Sequence, residues 1–417
     1  MKRVLMVAYH FPPLAGSSGI QRTLRFVQHL PKYGWEPLVL SADPRAYERI
    51  SDDLMAEIPE SIVVRRAFAF DTARHLSIAG RYIGAMARPD RWVSWKFAAV
   101  REGMRMIREF RPQAIWSTYP IATAHLIGAE LQRRSGLPWI ADFRDPMAQE
   151  GYPSNPLVWQ SYQEIERNAL QHARYSTFTT PGAARLYQVR YPNATNRIAV
   201  LENGYDEESF ASLTVDRSHD GNEHSKPVTI LHSGIVYPEE RDPTQLFAAL
   251  SRLKVGGEIK SGDLLIRFRA AVHDYLLLDL ATRYDVSEFI ETCPPIPYKA
   301  ALSEMVNSDA LLVMQASSCN EQIPAKIYEY LRAGRPILTL TDPAGDTASV
   351  MRRAGMNDIK SLDSAFEIEE GLKSFLSAIR DSSASLPNAE IVNSASREQR
   401  TADLVEFLEL AQVSGDN

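Results

Sequence analysis

Cysteine is nearly missing from this chain: Cys293 and Cys319 are the only two in 417 residues, and they form no metal-ligand spacing. That argues against a disulfide-stapled scaffold and fits a reducing cytosol. Long apolar runs are missing too. The apolar opening at residues 4–8 is broken by His10, Pro12 and Pro13, so neither a signal peptide nor a spanning helix is expected. No repeat period and no low-complexity tract stands out. The dinucleotide fingerprint GxGxxG is absent from the first glycine-rich turn, which makes NAD a poor fit. A large basic excess is absent as well: net charge is −6, so nucleic acid is not expected as a partner.

What is present is ordinary globular composition, 45% hydrophobic and 24% charged, in a chain long enough for two domains. The charge is unevenly spread. Residues 65–111 hold eleven Arg or Lys against four acids, a local +7 that leaves −13 for the remainder. This stretch is interleaved with Phe68, Phe70, Tyr82, Trp92, Trp95 and Phe97. It suits anionic lipid head groups or an anionic substrate, and it equally suits a solvated helical surface.

Periodicity predicts an α/β chain that starts twice. Residues 2–8 read as a buried strand, followed by the turn YHFPPLAGSSG, a helix from about Ser18 and a strand at 36–41. Further strands are predicted at 61–65, 113–117, 137–141, 176–179 and 198–201, and helices at 100–110, 121–134, 156–172 and 181–191. The polar stretch DRSHDGNEHSK at 216–226 reads as a surface loop, and the domain boundary falls near 204–226. The pattern then restarts with strands at 228–232, 264–270, 289–291 and 310–314. Helices are predicted at 243–254, 275–284, 297–306, from Asp346 as cap to about 353, at 368–380 and at 396–411. Two doubly wound domains, each with a glycine turn after its first strand, imply a cleft between them.

The stretch SSCNEQIPAKIYEYLRAGRPILTL at 317–340 carries the most chemistry. Pro324 reads as the first helical position and Gly334 as the stop. Glu321 lies in the loop before the helix and Glu329 inside it. A helix N-terminus with its unpaired N–H groups suits phosphate, and flanking glutamates would accept hydroxyls; two solvated surface acids are the other reading. Gly16 and Gly19 either let backbone approach a ligand or serve a tight turn. Asp142, Arg144 and Asp145 end a parallel strand where open α/β sheets keep ligands, or form a structural Arg–Asp pair. His125 is either a satisfied helix histidine or a catalytic one.

Four blocks together resemble a known family, the GT-B retaining glycosyltransferases of family 4 (group 1), in the branch that builds bacterial surface polysaccharides. They are YHFPPLAGSSGIQR, the block Asp142-Phe143-Arg144-Asp145-Pro146, the segment Asn203-Gly204-Tyr205-Asp206 with Phe210, and the pair Glu321 and Glu329 with IPAKIYEYLRAGRPIL between and beyond them. The resemblance implies two Rossmann-like domains, an acceptor-side domain at 1–204 and a donor domain at 205–395. A final helix at 396–417 would cross back to the first domain. It implies that Glu321 contacts the donor sugar and Glu329 the ribose. Backbone around Ile323, Pro324 and Ala325 would hold the diphosphate, helped by Lys326. Gly234 and Arg241 would face the same diphosphate, with Gly16 and Gly19 under the donor phosphates. His125, Asp142, Arg144 and Asp145 would line the acceptor side.

This sequence departs from the family at three places. Gln322-Ile323-Pro324 replace the glycine-rich start after Glu321. Ser117-Thr118-Tyr119 stand where many relatives have a histidine, leaving His125 as substitute. The usual basic pair is reduced to Arg241, with Lys326 as the second charge.

The implied reaction is hexosyl transfer with retention from a UDP- or GDP-type sugar to a glycan or lipid-linked hydroxyl, in cell-surface polysaccharide synthesis. It would take place in the cytoplasm or at the inner membrane face. Charge gathering on the leaving diphosphate calls for Arg241, Lys326 and a helix N-terminus. No Asp-x-Asp motif is present, so neither metal nor cofactor is expected. A GT-B-fold nucleotide-sugar epimerase or hydrolase, and a non-catalytic scaffold of a polysaccharide assembly complex, are the alternatives.

Overall fold

The structure is a computed structural model that describes residues 1–17, 19–211, 213–214 and 226–413. Two compact units are present: Met1–Asn203 together with Arg397–Asn417, and Gly204–Ser396. Residues 216–225 of the polar stretch, and Ser18 at the expected helix start, lie outside the described residues.

The first unit is a seven-stranded sheet. Its strands are β1 (Lys2–Val7), β2 (Trp35–Ala42), β3 (Val63–Ala67), β4 (Ala114–Thr118), β5 (Trp139–Arg144), β6 (Tyr175–Phe178) and β7 (Ile198–Val200), in the order β3-β2-β1-β4-β5-β6-β7. All its pairings are parallel, with Leu5 opposite Leu38 on one side and Ile115 on the other. A parallel strand is buried on both faces, which is why β1 is a continuous apolar run. Its alternate residues serve different cores: Leu5, Val7 and Tyr9 pack in one cluster, and Val4, Met6 and Ala8 in the other. That second cluster includes Leu404 and Leu408 of the terminal helix Arg397–Val413. The helix is tied down by Trp35 Nε1 donating to Glu409 (2.9 Å) and by the Arg400–Glu202 ion pair (2.7 Å).

The second unit repeats the scheme with β8 (Val228–Ser233), β9 (Leu264–Arg269), β10 (Ile290–Cys293), β11 (Ala310–Gln315), β12 (Ile337–Thr341) and β13 (Ile359–Lys360), ordered β10-β9-β8-β11-β12-β13. Along β11, Ala310, Leu312 and Met314 face one core and Leu311 and Val313 the other. In both sheets the strand order reverses next to the first strand, between β1 and β4 and between β8 and β11. Such switch points leave a crevice at the carboxyl ends of the strands.

Several elements differ from expectation, among them β13, which was not expected at all. Strand β3 sits two residues later than 61–65. The helix expected at 100–110 is Trp95–Phe110, because buried Trp95 and Ala99 extend its apolar face one turn earlier, while exposed Phe97 obscures the period. Asp346 is the first helical residue and Gly345 the cap.

Candidate active site

In the second unit, the turn after β8 meets the helix Lys326–Ala333 at the switch point. Gly234 has φ +117, a conformation that side chains other than glycine rarely adopt. Lys326 Nζ donates to His232 Nε2 (2.8 Å) and to the Ser233 carbonyl (3.3 Å), and stands 3.7 Å from where a Cβ on Gly234 would be. His232 is fully buried, and its Nδ1 lies 3.0 Å from the Leu312 carbonyl. A carbonyl can only accept, so Nδ1 carries the proton and Nε2 is left to accept from the lysine. Tyr330 Oη accepts from Ser233 N (2.7 Å) and fixes the same turn from below.

Burial, with Arg241 close by, pushes the Lys326 ammonium well below its ordinary pKa, against a weaker opposing pull from Glu329. Burial and the lysine push His232 down as well. Arg241 donates through Nη1 to the Ile235 carbonyl (2.9 Å) and lies over the Tyr237 ring, while its buried Nε has no hydrogen-bond partner among the described residues. Two cations held near each other by neutral groups form a site that a polyanion relieves.

The helix supplies donors. The Ile323 and Ala325 N–H groups have no protein acceptor among the described residues. Ala325 is the cap, so Pro324 lies outside the helix and not at its first position. Pro324 has no N–H, and the diphosphate role expected of it is corrected: it shapes the turn, its carbonyl accepting from Ile327 N (3.0 Å). Glu329 accepts from the Tyr298 hydroxyl (2.8 Å), which orients the carboxylate. Glu321 is exposed in the loop before the helix.

In the first unit the charged block at the end of β5 divides in two. Asp142 is fully buried and accepts from Arg22 Nε (3.0 Å) and Nη2 (2.9 Å), Thr118 (2.9 Å) and Thr177 (2.9 Å). Burial, the largest influence, would raise its pKa, but the Arg22 guanidinium, Arg144 and the Thr118 hydroxyl together hold the carboxyl below its ordinary value. Both oxygens are engaged, so the acceptor-side role expected of Asp142 is corrected to an internal tie. Arg144 has φ +64, reaches the Tyr119 carbonyl (3.3 Å) and leaves Nε without a partner among the described residues. Asp145 is exposed and accepts from Thr179 Oγ1 at 3.4 Å.

Gly19 opens the helix Gly19–His29, and a Cβ there would lie 2.6 Å from Arg144 Nη1 and 2.7 Å from His10 Nδ1. A side chain there would have to push the Arg144 guanidinium and the His10 ring aside. Gly16 has φ +81 in the turn before it.

His125 is corrected as well. It is fully buried, bonded through Nδ1 to Ser117 Oγ (2.8 Å), with its ring 4.7 Å from that of Phe143. Burial lowers its pKa to about 4. It is a core residue with no route to an acceptor hydroxyl. The histidine that sequence reasoning passed over is His10, directly after β1. Its Nδ1 bonds Ser17 Oγ (2.8 Å), and burial with Arg144 lowers its pKa to about 3. With Tyr9, Gly16, Ser17 and Trp92 it lines a cavity of about 250 Å³. Its place at the end of an apolar strand, inside the glycine-rich block, was the available signal. His232, at the end of β8, carried the same one. Among the described residues no cluster of three His, Cys, Asp or Glu could hold a metal ion.

Residues 18–204 match the glycosyl transferase 4-like domain family. No curated protein matches the sequence. Solved structures match over nearly the whole chain. HepE of Anabaena in complex with UDP and glucose is 12% identical, with TM-score 0.65 over 98% of this chain and 100% of its own. The lipopolysaccharide outer core galactosyltransferase WaaB is 10% identical, with TM-score 0.62 over 98% and 99%. A Listeria monocytogenes protein described as a UDP-N-acetylglucosamine 2-epimerase is 12% identical, with TM-score 0.56 over 100% and 98%. At these identities the likeness is one of fold, the GT-B fold of two parallel-sheet units.

Proposed function

We propose that the chain is a GT-B glycosyltransferase of the family 4 type, its residues 18–204 matching the glycosyl transferase 4-like domain, and that it moves a hexosyl group, with retention, from a nucleotide diphosphate sugar to a hydroxyl of a glycan or lipid-linked acceptor. The observation that carries the proposal is the Lys326–His232–Gly234 arrangement beside Arg241. It places two cations and two unpaired N–H groups at a switch point, where a diphosphate leaving group gathers charge. UDP is the nucleotide we test first, since UDP and glucose occupy HepE.

In this reading Lys326, Arg241 and the Ile323 and Ala325 N–H groups hold the diphosphate over the Gly234 turn, without a metal. Glu329, oriented by Tyr298, accepts from the ribose, and Glu321 from the donor sugar. As the bond from the anomeric carbon to the phosphate oxygen breaks, its electron pair goes to that phosphate, which takes the acceptor's proton while the acceptor oxygen bonds the anomeric carbon. The acceptor belongs to the first unit, beside His10 and Arg144, with Asp145 at its rim. We place the reaction at the cytoplasmic face of the membrane, in the synthesis of a surface polysaccharide.

A donor-dependent assay with and without acceptor tests the proposal. UDP release coupled to a new glycoside, with the anomeric configuration of the donor kept by NMR, is the expected result. Equal release without acceptor assigns a hydrolase or epimerase instead. Lys326→Ala together with Arg241→Ala leaving cellular glycan unchanged would identify a scaffold.

A further inference from the structure

Between β3 and the helix Trp95–Phe110 the chain makes an excursion over residues 72–89 that contains Arg74, His75, Arg81 and Arg88 and no acid. Its base is fixed. Thr72 N donates to the Arg91 carbonyl (2.8 Å), Thr72 Oγ1 to the Met86 carbonyl (2.9 Å), and Arg74 to the Tyr47 carbonyl. Its tip is a two-residue hairpin turn: Ile78 and Arg81 exchange backbone bonds of 2.8 and 3.0 Å around Ala79 and Gly80, both at positive φ. Every residue from Ile78 to Met86 is exposed, Ile78 at 84% and Ile83 at 68%, with Tyr82 and Met86 beside them. Single exposed apolar side chains need no explanation, but four within nine residues, flanked by arginines and held on a fixed base, do.

We propose that residues 76–88 are a wedge that enters the interface of an anionic phospholipid bilayer. Ile78, Tyr82, Ile83 and Met86 would lie among the upper acyl chains and Arg81 and Arg88 at the phosphates. The wedge is narrower than the basic region as a whole. Arg65 is paired with Glu109 (3.4 Å) and Glu102, Arg91 with Asp71 (3.5 Å) and Glu48, and Arg105 with Glu102, so those charges are already answered within the fold. The excursion leaves the carboxyl end of β3 and returns as Trp92, which lines the cavity with Tyr9 and His10, its ring 5.0 Å from Tyr9. Wedge and cavity therefore share one end of the first sheet, so a membrane-seated wedge brings the cavity to head-group height. This rests on the transfer reading above, and it makes the acceptor one whose hydroxyl is carried on a bilayer lipid.

Flotation of the full chain with vesicles of phosphatidylcholine, alone or mixed with phosphatidylglycerol, tests the wedge. Preferential, salt-sensitive binding to the mixed vesicles is expected. Ile78→Ser with Ile83→Ser should weaken it more than tenfold, since two exposed side chains lose apolar burial, and Arg81→Ser by about fivefold. Both variants should keep the thermal midpoint and the rate on a water-soluble acceptor, because the altered side chains are exposed. Equal binding to both vesicle types, or variants that bind like the original, overturns the wedge. So does absence of vesicle binding, with the tip engaging a protein instead. Vesicle binding needs no turnover, so a chain that docks but transfers no sugar keeps the wedge and loses the transfer reading.

Discussion

The two units keep their charges at the same topological place and treat them in opposite ways. At the first sheet's carboxyl end, Arg22 and Asp142 neutralise each other in the interior, with two threonines completing the carboxylate. At the second, Lys326 has no carboxylate within ion-pair distance among the described residues; its partners are a neutral histidine and a carbonyl. The first arrangement holds elements together, Arg22 also donating to the Leu201 and Glu202 carbonyls. The second keeps a cation waiting. Density of charged residues in a sequence block is therefore a poorer guide to chemistry than whether each charge is answered.

Breaking the answered pair should cost most. Asp142→Asn or Arg22→Met is expected to destabilise the chain by about 3–5 kcal/mol, since the surviving charge stays buried. Urea denaturation measures this, and Arg22→Met with Asp142→Leu should recover much of the loss. Lys326→Ala should lower kcat/KM by about 100- to 1000-fold, the range for removing one preorganised charge-stabilising group. Its denaturation midpoint should barely move, a split that the buried pair cannot show.

The buried histidine of the first unit gives a pH signature. His125 has its folded pKa lowered to about 4, against about 6.5 unfolded. Below pH 6.5 the unfolded chain therefore binds the extra proton, and stability falls between pH 6.5 and pH 4. The full loss is on the order of 3 kcal/mol. Thermal melts across that range should show the slope, and His125→Gln should flatten part of it. The smallest effect expected is that of Tyr298→Phe: freeing the Glu329 carboxylate should raise donor KM severalfold and leave kcat nearly unchanged.

Much of the architecture was legible because buried parallel strands are largely apolar runs, several of them followed within a few residues by glycine or proline. Strands β1, β2, β4, β8 and β11 fall within two residues of the reading at either end for that reason. Less legible was which polar residue is buried. His125 and His10 both belong to plausible blocks, and only tertiary packing puts one inside the core and the other beside a cavity. Asp142 looked exposed to ligand because its partner Arg22 is distant in sequence. Pro324 misled by two residues: the residue after it takes the cap, so the proline bends the entry and does not begin the helix.

The terminal helix has a consequence for the order of assembly. The chain leaves the first unit at Asn203 and returns to it at Arg397. The face formed by Leu24, Val27 and Trp35 therefore stays without Leu404 and Leu408 until residues 397–413 are made. At about 5–20 residues per second, the whole second unit is synthesised in that interval, a wait of roughly 10–40 s. On the ribosome the unit begun first is thus completed after the unit begun second, and until then its apolar face lacks its cover.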